Sequence, residues 1–428
     1  MAHRRPQANK LTVNELIRFR LPSIHVPAVL PAGGAAPTDD PLDAEFAEIA
    51  QRVAAAARPL DAIKESAALS RGVDLYAGLK RAFRGYGFPA ATNATLKMHE
   101  LIIQMGLIDC GGRHSRVRAF CDAELPGAFI MSINHFVRTM CPAADFDWVG
   151  SSYFPAAAAA SGDNTILGDQ YGLYAQHRDH WLMGPRPNAL PAGEPDASGD
   201  LTDADTVAQL ADAVHARFAA SDAAGSGATL ATSDAGIDVS EDFSKQESLT
   251  ARLNFGQVLA AVLALAPGGH LVTKTYTFTA PFSRSVIALV AALFDESYIV
   301  KPLTSRPSNS EVYLVGKGFR GPAVCTPQLA EQLLDRLAAS DAPCDGPPLF
   351  DPADYAAVDR VLIRATRQIH GRQQVAFLDE MVAFNARYAS RYNDLARDLS
   401  HEARRVQEHW LLENPVRQIR PESLLITS

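Results

Sequence analysis

The chain is poor in cysteine, in net positive charge and in long apolar runs, and each shortage removes a class of protein. Five cysteines (Cys110, Cys121, Cys141, Cys325, Cys344) are spread over 428 residues, with no Cys-x-x-Cys pair and no cysteine/histidine spacing of a zinc site. That excludes a disulfide-scaffolded mini-protein and reads as reduced thiols in an intracellular protein. A formal net charge of −8 excludes a general nucleic-acid coat, which would be basic, but leaves room for a local basic groove. No apolar run approaches the ~20 residues of a membrane span. The basic start MAHRRPQANK is not followed by the apolar core of a signal peptide. The expectation is an intracellular chain, cytoplasmic or nuclear, with no membrane partner. There is no internal repeat.

What the chain does have is apolar residues, 47% of the total against 21% charged, enough for a packed core. Its length suits one large domain with appendages, or two domains. Residues 1–41 form a polar, Pro-rich lead with a small basic cluster (Arg4, Arg5, Lys10, Arg18, Arg20), either a solvated tail or an arm for RNA phosphates. Residues 42–92 carry apolar residues at helical spacing and read as a helical extension. Residues 321–428 read as a second one, its long tract broken near His370-Gly371. Between them, 93–320 reads as an α/β core.

The core is organised around Ala228 to Gly316. The stretch reads as strand, acidic turn, amphipathic helix, Pro-Gly-Gly break, strand ending in a lysine, helix, strand, turn, strand. Asp234, Lys274 and Glu311 fall at strand ends, the edge that faces the ligand crevice in an open α/β sheet. Burial and a second ammonium would both lower the pKa of Lys274 from ~10.4. Asp234 and Glu311 would oppose that and hold the lysine in place.

Three phrases in this region, TSDAGIDVSEDFSKQE, APGGHLVTKTYTF and KPLTSRPSNSEVYLVGKGF, resemble the FtsJ-like RNA ribose 2′-O-methyltransferases. The similarity is closest to the cap-modifying branch, which includes versions from large DNA viruses. It spans roughly Asn93 to Phe319, with a poorly matched insertion at about 155–198. The resemblance implies a Rossmann-like α/β core with a mainly parallel seven-stranded sheet, S-adenosylmethionine as cofactor, and methyl transfer to an RNA 2′-hydroxyl. It further implies a Lys-Asp-Lys-Glu tetrad, whose matching positions are Lys97, Asp234, Lys274 and Glu311. Capped mRNA is the implied substrate, with the capping or transcription machinery as possible partners. Ribosomal RNA, or a catalytically silent RNA-binding or scaffold module, are the alternatives.

The same resemblance places the cofactor loop at Glu124, Pro126, Gly127, Ala128 and Phe129. Ala128 stands where the family has a second glycine, and Cys121 where it has an aspartate, with Asp122 one place later. Asp200 and Leu201 match the family's Gly-Asp beside the adenine, and Asp234 would also face the methyl end of the cofactor. Arg306, Asn309 and Tyr276 are candidate substrate contacts, or braces of the turn and entrance. In the insertion, Tyr171, Tyr174 and Trp181 beside Arg178 and Arg186 could stack bases or pack on the sheet. His177 and His180 lack a third ligand, so no metal is expected.

Overall fold

The computed structural model describes residues 16–25, 27, 30–31, 41–61, 76–88, 91–111, 115–153, 168–182, 199–219, 226–237, 245–339, 346–388 and 392–426. Strand β4 (Ala228–Ser233) is a run of small and apolar residues, and β2 (Arg116–Asp122) is buried from Val117 onward even though it carries Arg118 and Asp122. That is the pattern of parallel strands covered by helices. By contrast, β1 (Ile17–Leu21) alternates buried and exposed residues, as an antiparallel edge strand does.

With β3 (Asp145–Gly150), β5 (Leu265–Thr275), β6 (Phe294–Lys301) and β7 (Val312–Phe319), these form one sheet in the order β1-β6-β7-β5-β4-β2-β3. The pairs β2/β3, β2/β4 and β4/β5 are parallel, while β7 runs against both β5 and β6, and β1 against β6. Five strands therefore point one way and two the other. The chain moves outward from β2 to β3, then crosses back to β4 on the far side of β2. Such a reversal of strand order opens a crevice at the carboxyl ends of β2 and β4.

Helices cover both faces. Helices α1 (Pro41–Asp61), α5 (Ala204–Ala219), α6 (Gln246–Ala264), α7 (Pro281–Leu293), α8 (Pro327–Ala338) and α9 (Pro352–Gln368) contribute to one apolar cluster. Helices α2 (Ala77–Gly85), α3 (Asn93–Met105), α4 (Ala128–Met140) and α11 (Tyr392–Glu413) contribute to the other. Local chemistry sets the ends of α3. Thr92 and Thr95 form a reciprocal capping box, and Gly106 terminates the helix at φ +59. A π-helical turn, Ile369–Gln374, joins α9 to α10 (Val375–Tyr388), at the break anticipated near His370-Gly371.

Three expectations change. The polar lead carries β1, which pairs in register with β6 from Ile17↔Lys301 to Leu21↔Ser297. Five residues with Ile17 and Leu21 turned inward suffice for an edge strand, and composition averaged over the lead conceals them. Secondly, Pro267-Gly268-Gly269 lies inside β5 and not before it, where the β4/β5 register shifts between Ala228 and Leu230. Thirdly, Cys110 and Cys141 are joined in a disulfide, Cα–Cα 4.9 Å, while Cys121 and Cys325 are free and buried. Helix α4 returns the chain to the end of the sheet where β2 begins, and so brings Cys141 to the loop that holds Cys110. Cys344 lies outside the described residues.

Arg284 on α7 is buried with its guanidinium paired to Asp359 on α9 (3.2 Å) and to Asp43 on α1. It ties three helices of one layer. Removing one member of a buried ion pair typically costs about 3–5 kcal/mol. Arg284→Met should therefore lower the midpoint of urea unfolding by a corresponding amount with an unchanged m-value.

Candidate active site

Strand register assembles the site. Ser233 lies opposite Thr273, so Asp234, the next residue, comes level with Lys274. On the other side of β5, Lys274 is directly opposite Tyr313, and Glu311 immediately precedes β7. Helix α3 delivers Lys97 to the same edge. The Lys97 ammonium contacts both oxygens of Glu311, at 2.7 Å (Oε1) and 2.9 Å (Oε2). The Lys274 ammonium donates to the backbone oxygen of Asp234 at 2.7 Å and lies 3.3 Å from its Oδ1. Tyr313 joins the two pairs: its hydroxyl donates to Asp234 Oδ1 at 3.0 Å, and Lys97 Nζ sits 5.9 Å from its ring centre. Lys97, Lys274, Glu311 and Tyr313 are all buried.

The electrostatics of Lys274 correct the sequence expectation. Burial does press its pKa down, but Asp234, Tyr276 and Glu311 together outweigh burial and hold it above the ordinary lysine range. The group is a firm cation. Glu311 follows the same logic with the opposite sign. Burial alone would raise it, yet Lys97, Lys301 and Lys274 bring it down to about 2. Lys301, at the end of β6, is the third cation of the cluster, and the sequence reading passed over it. Its ammonium donates to Asn309 O (2.8 Å), Asn309 Oδ1 (3.0 Å) and Glu311 O (2.7 Å), which uses all three protons. Burial pulls its pKa down to about 7, with Glu311 opposing and Lys97 adding to the fall. The only sequence signal was its place in the Lys-Pro of the final motif, since a lysine ending a strand gives no hint of burial.

At the neighbouring strand ends lie two more buried carboxyl groups, Asp122 and Glu124. Asp122 closes β2 opposite Ser233, fully buried, and neither carboxyl oxygen finds a hydrogen-bond partner among the described residues. The Ser233 hydroxyl is beside it and pulls the pKa down slightly, but burial dominates and raises Asp122 to about 8. Glu124 turns inward to cap α4, accepting from the backbone N–H of Phe129 (2.7 Å) and Ile130 (3.0 Å). Burial pushes it well above the carboxylate range, those two donors opposing and Asp234 and Asp122 adding.

The loop geometry explains its residues. Gly127 has φ +105, and a Cβ there would come within 2.2 Å of Leu173 Cδ2. Ala128 is already helical, the first residue of α4, so its methyl group costs nothing at the place where a second glycine was expected. Pro126 follows a cis peptide bond, and Phe129 is buried. At Gly199 a Cβ would come within 2.0 Å of Ser152 O, so this backbone closes tightly on the loop after β3. Asp200 accepts from the N–H (2.9 Å) and hydroxyl (2.7 Å) of Thr202 through Oδ1. Leu201 is buried against α6, and Asp203 caps α5 through Asp205 N and Thr206 N.

The remaining candidates sort themselves by exposure. Arg306 is exposed on the turn before β7, while Asn309 is spent on Lys301. Tyr276 is half-buried with Lys274 Nζ 5.7 Å from its ring centre, and Phe278 is buried against His370. In the insertion, Tyr174 and Trp181 are buried, and His180 stacks on Trp148 and hydrogen-bonds its carbonyl oxygen at 2.8 Å. His177 hydrogen-bonds Leu425 O, and Arg178 lies over the Tyr174 ring. These aromatics pack on the sheet. Residues 154–167 and 183–198, with Arg186, lie outside the described residues, as do Arg4, Arg5 and Lys10 of the lead.

Two titrations of opposite sign follow. Asp122, raised to about 8, keeps in the folded chain a proton that the unfolded chain gives up from about pH 4. Its contribution is full at low pH and lost as pH rises through about 8, at up to about 1.4 kcal/mol per pH unit. Urea titrations of the unliganded protein between about pH 5 and 7 should therefore show a more favourable pH slope for Asp122→Asn than for wild type. Glu311, lowered to about 2, contributes stability that is present above the ordinary carboxylate pKa and lost as pH falls through about 2. Glu311→Gln should remove that acid-dependent part.

Comparison with known proteins gives the family of the chain. Residues 91–319 match the FtsJ-like methyltransferase family. A probable methyltransferase, EP424R, of African swine fever virus is 34% identical over 343 residues, covering 80% of this chain and 75% of the viral one. An uncharacterized protein, L511, of Acanthamoeba polyphaga mimivirus is 27% identical and covers 61% of this chain and 30% of its own. Cap-specific mRNA (nucleoside-2′-O-)-methyltransferase 2 of Mus musculus is 28% identical over 245 residues, 57% of this chain and 29% of the mouse protein. By family match, relatives and sheet topology alike, the chain belongs to the FtsJ-like methyltransferases.

Proposed function

We propose that the chain transfers a methyl group from S-adenosylmethionine to a ribose 2′-hydroxyl of RNA, at cap-proximal nucleotides of mRNA. The observation that carries this reading is the pair of buried ion pairs, Lys97–Glu311 and Lys274–Asp234, meeting at Tyr313 on the carboxyl edge of the sheet. Preference for capped mRNA draws on the similarity to the cap-specific mouse enzyme.

The chemistry of the carboxyl group at the end of β2 suits the cofactor. Asp122 is a buried carboxylate with both oxygens unpartnered among the described residues, and the ammonium or ribose hydroxyls of a nucleoside amino acid would satisfy it. At Gly127 and Gly199 a side chain would collide with Leu173 and Ser152, so glycine is what lets these loops close on the chain around them. Asp122, the Gly127 loop, Asp200 and Asp234 would hold the group. When bound, S-adenosylmethionine supplies a methyl group on a sulfonium, a strong donor to an oxygen nucleophile.

The chain's own residues then have to orient and activate a poor nucleophile. Lys274, kept cationic by Asp234, directs a lone pair of the 2′-oxygen and stabilises the negative charge that develops as its proton passes to solvent water. Its ammonium is a fixed electrostatic group, so it does not act as a neutral-lysine base. Asp234 is the carboxylate nearest to that cation. Lys97 and Glu311 hold the field behind it, and Tyr313 keeps the two pairs at fixed separation. Arg306, exposed at the rim, would meet a phosphate.

The test is transfer of labelled methyl to short RNAs with and without a 5′ cap. Wild type should label capped RNA at a 2′-oxygen. Lys274→Ala should lose at least about 100-fold in kcat, as loss of a preorganised charge typically does, with cofactor affinity unchanged by calorimetry. Asp122→Asn should show the complementary defect, weakening the cofactor by about tenfold or more. Label on uncapped structured RNA alone would redirect the assignment to ribosomal or other RNA. Wild type that neither binds the cofactor nor labels any RNA would show the silent RNA-binding or scaffold module instead.

A further inference from the structure

A further buried carboxylate lies one helical turn beyond Lys97. Glu100 on α3 is fully buried, and all its contacts are donors from other parts of the chain. Its Oε1 accepts from Leu303 N at 2.6 Å, and its Oε2 accepts from Thr304 N (3.1 Å), Thr304 Oγ1 (2.8 Å) and Trp410 Nε1 (3.0 Å). A buried carboxylate would be expensive without partners, and four donors are what an anion there requires. Burial still raises the Glu100 pKa, with Trp410, Leu303 and Thr304 opposing.

The partners matter because of where they stand. Leu303 and Thr304 open the turn between β6 and β7, the turn that presents Ser305 and Glu311. Ser305 N donates to Pro302 O (3.1 Å), and Ser305 Oγ donates to Glu311 Oε1 (2.7 Å), the oxygen that Lys97 also grips. Lys97 and Glu100, three residues apart, are neighbours on α3. The same helix therefore holds Glu311 twice, directly through Lys97 and through the base of its turn by Glu100. Both extensions join this tie. Tyr76, just before α2, donates its hydroxyl to Leu303 O. From the C-terminal side, Trp410 of α11 donates to Glu100. The segment after α11 is fastened further along α3, through Gln104 to Glu413 O (3.2 Å) and Asn414 Oδ1 (3.1 Å), and through His99 to Pro415 O (3.2 Å).

We propose that Glu100 is a positioning residue for methyl transfer: its carboxylate locks the turn carrying Glu311 to the helix carrying Lys97, and Trp410 of the C-terminal extension completes the lock. The inference rests on the reading of the site given above. Nothing in Glu100 reaches the reacting atoms. It acts through the Lys97–Glu311 pair, so the extension is part of the active-site framework.

Glu100→Gln is the decisive variant. It keeps the shape but sets an amide N–H₂ against donors, on one side Leu303 N–H, on the other Thr304 and Trp410. The expected result is a fall in kcat of about tenfold or more, the scale of losing charge-assisted hydrogen bonds, with KM for the cofactor and for RNA within about twofold. Amide exchange over 302–311 should quicken while exchange in β4 stays as in wild type. Trp410→Phe removes one of the four donors and leaves the carboxylate, so a smaller drop in kcat with the same unchanged KM is expected. A folded Glu100→Gln with wild-type exchange over 302–311 would overturn the lock, and faster exchange with wild-type kcat would overturn its role in positioning. If Glu100→Gln does not fold, Trp410→Phe with unchanged exchange and kcat is the overturning result. Amide exchange needs no substrate, so a wild type inactive on every RNA would count against the proposed function and leave the lock to be judged on exchange alone.

Discussion

Charge buried at one end of the sheet is the constraint on which this molecule depends. Lys97, Lys274, Lys301, Glu100, Asp122 and Glu311 are all withdrawn from water within one edge of the fold. Each ion there carries a desolvation penalty of several kcal/mol unless it is paired and hydrogen-bonded. The structure meets this by giving most of them several partners. Glu311 takes both contacts of Lys97 and the Ser305 hydroxyl, Lys301 takes three backbone or amide acceptors, and Glu100 takes four donors. Asp122 departs from that rule, with neither oxygen partnered among the described residues. It meets the penalty the other way, by keeping its proton up to about pH 8.

The sheet makes such a concentration of charge possible. Parallel strands end together at one edge, and the switch in strand order between β2 and β4 opens a crevice there. Antiparallel β7 then enters from that edge and brings Glu311 and Tyr313 in from the turn. Asp122 and the Lys274–Asp234 pair thus lie on strands adjacent through β4. The helical extensions are not passive additions. Tyr76 from one and Trp410 from the other converge on the backbone of Leu303 and the carboxylate of Glu100. The charged network is held from three directions.

Much of this could be read from residues in order. Asp234, Lys274 and Glu311 declared themselves because strand-like runs end at or beside them, and Lys97 only through the family resemblance, as a lysine on the helix before the first core strand. Gly127 was legible as a glycine that a close backbone approach demands. Other residues were silent for a physical reason. Glu100 and Lys301 look like ordinary surface ions in a sequence, since burial of a charge depends on donors and acceptors supplied from up to 310 residues away, as Trp410 is from Glu100. The direction of the Lys274 pKa was misjudged likewise: burial was foreseen, but the closeness of Asp234, Tyr276 and Glu311 decides the balance. The Cys110–Cys141 bond and strand β1 escaped because each depends on a distant segment being brought alongside.

The sequence by itself determined the α/β class, the order of the core elements from β2 onward, the family resemblance and the positions that reach the carboxyl edge. Those follow from local properties: periodicity, capping, turn residues and short motifs, each contained in a few consecutive residues. Only the tertiary structure decided which charges are buried, which carboxylate stays unpartnered, that Glu124 caps a helix while Asp122 is left enclosed at the end of β2, and that the C-terminal extension grips the helix bearing Lys97. These are sums over neighbours far apart in the chain. Desolvation and Coulomb terms of similar size and opposite sign are settled by distances of a few ångströms, which only the packed fold sets.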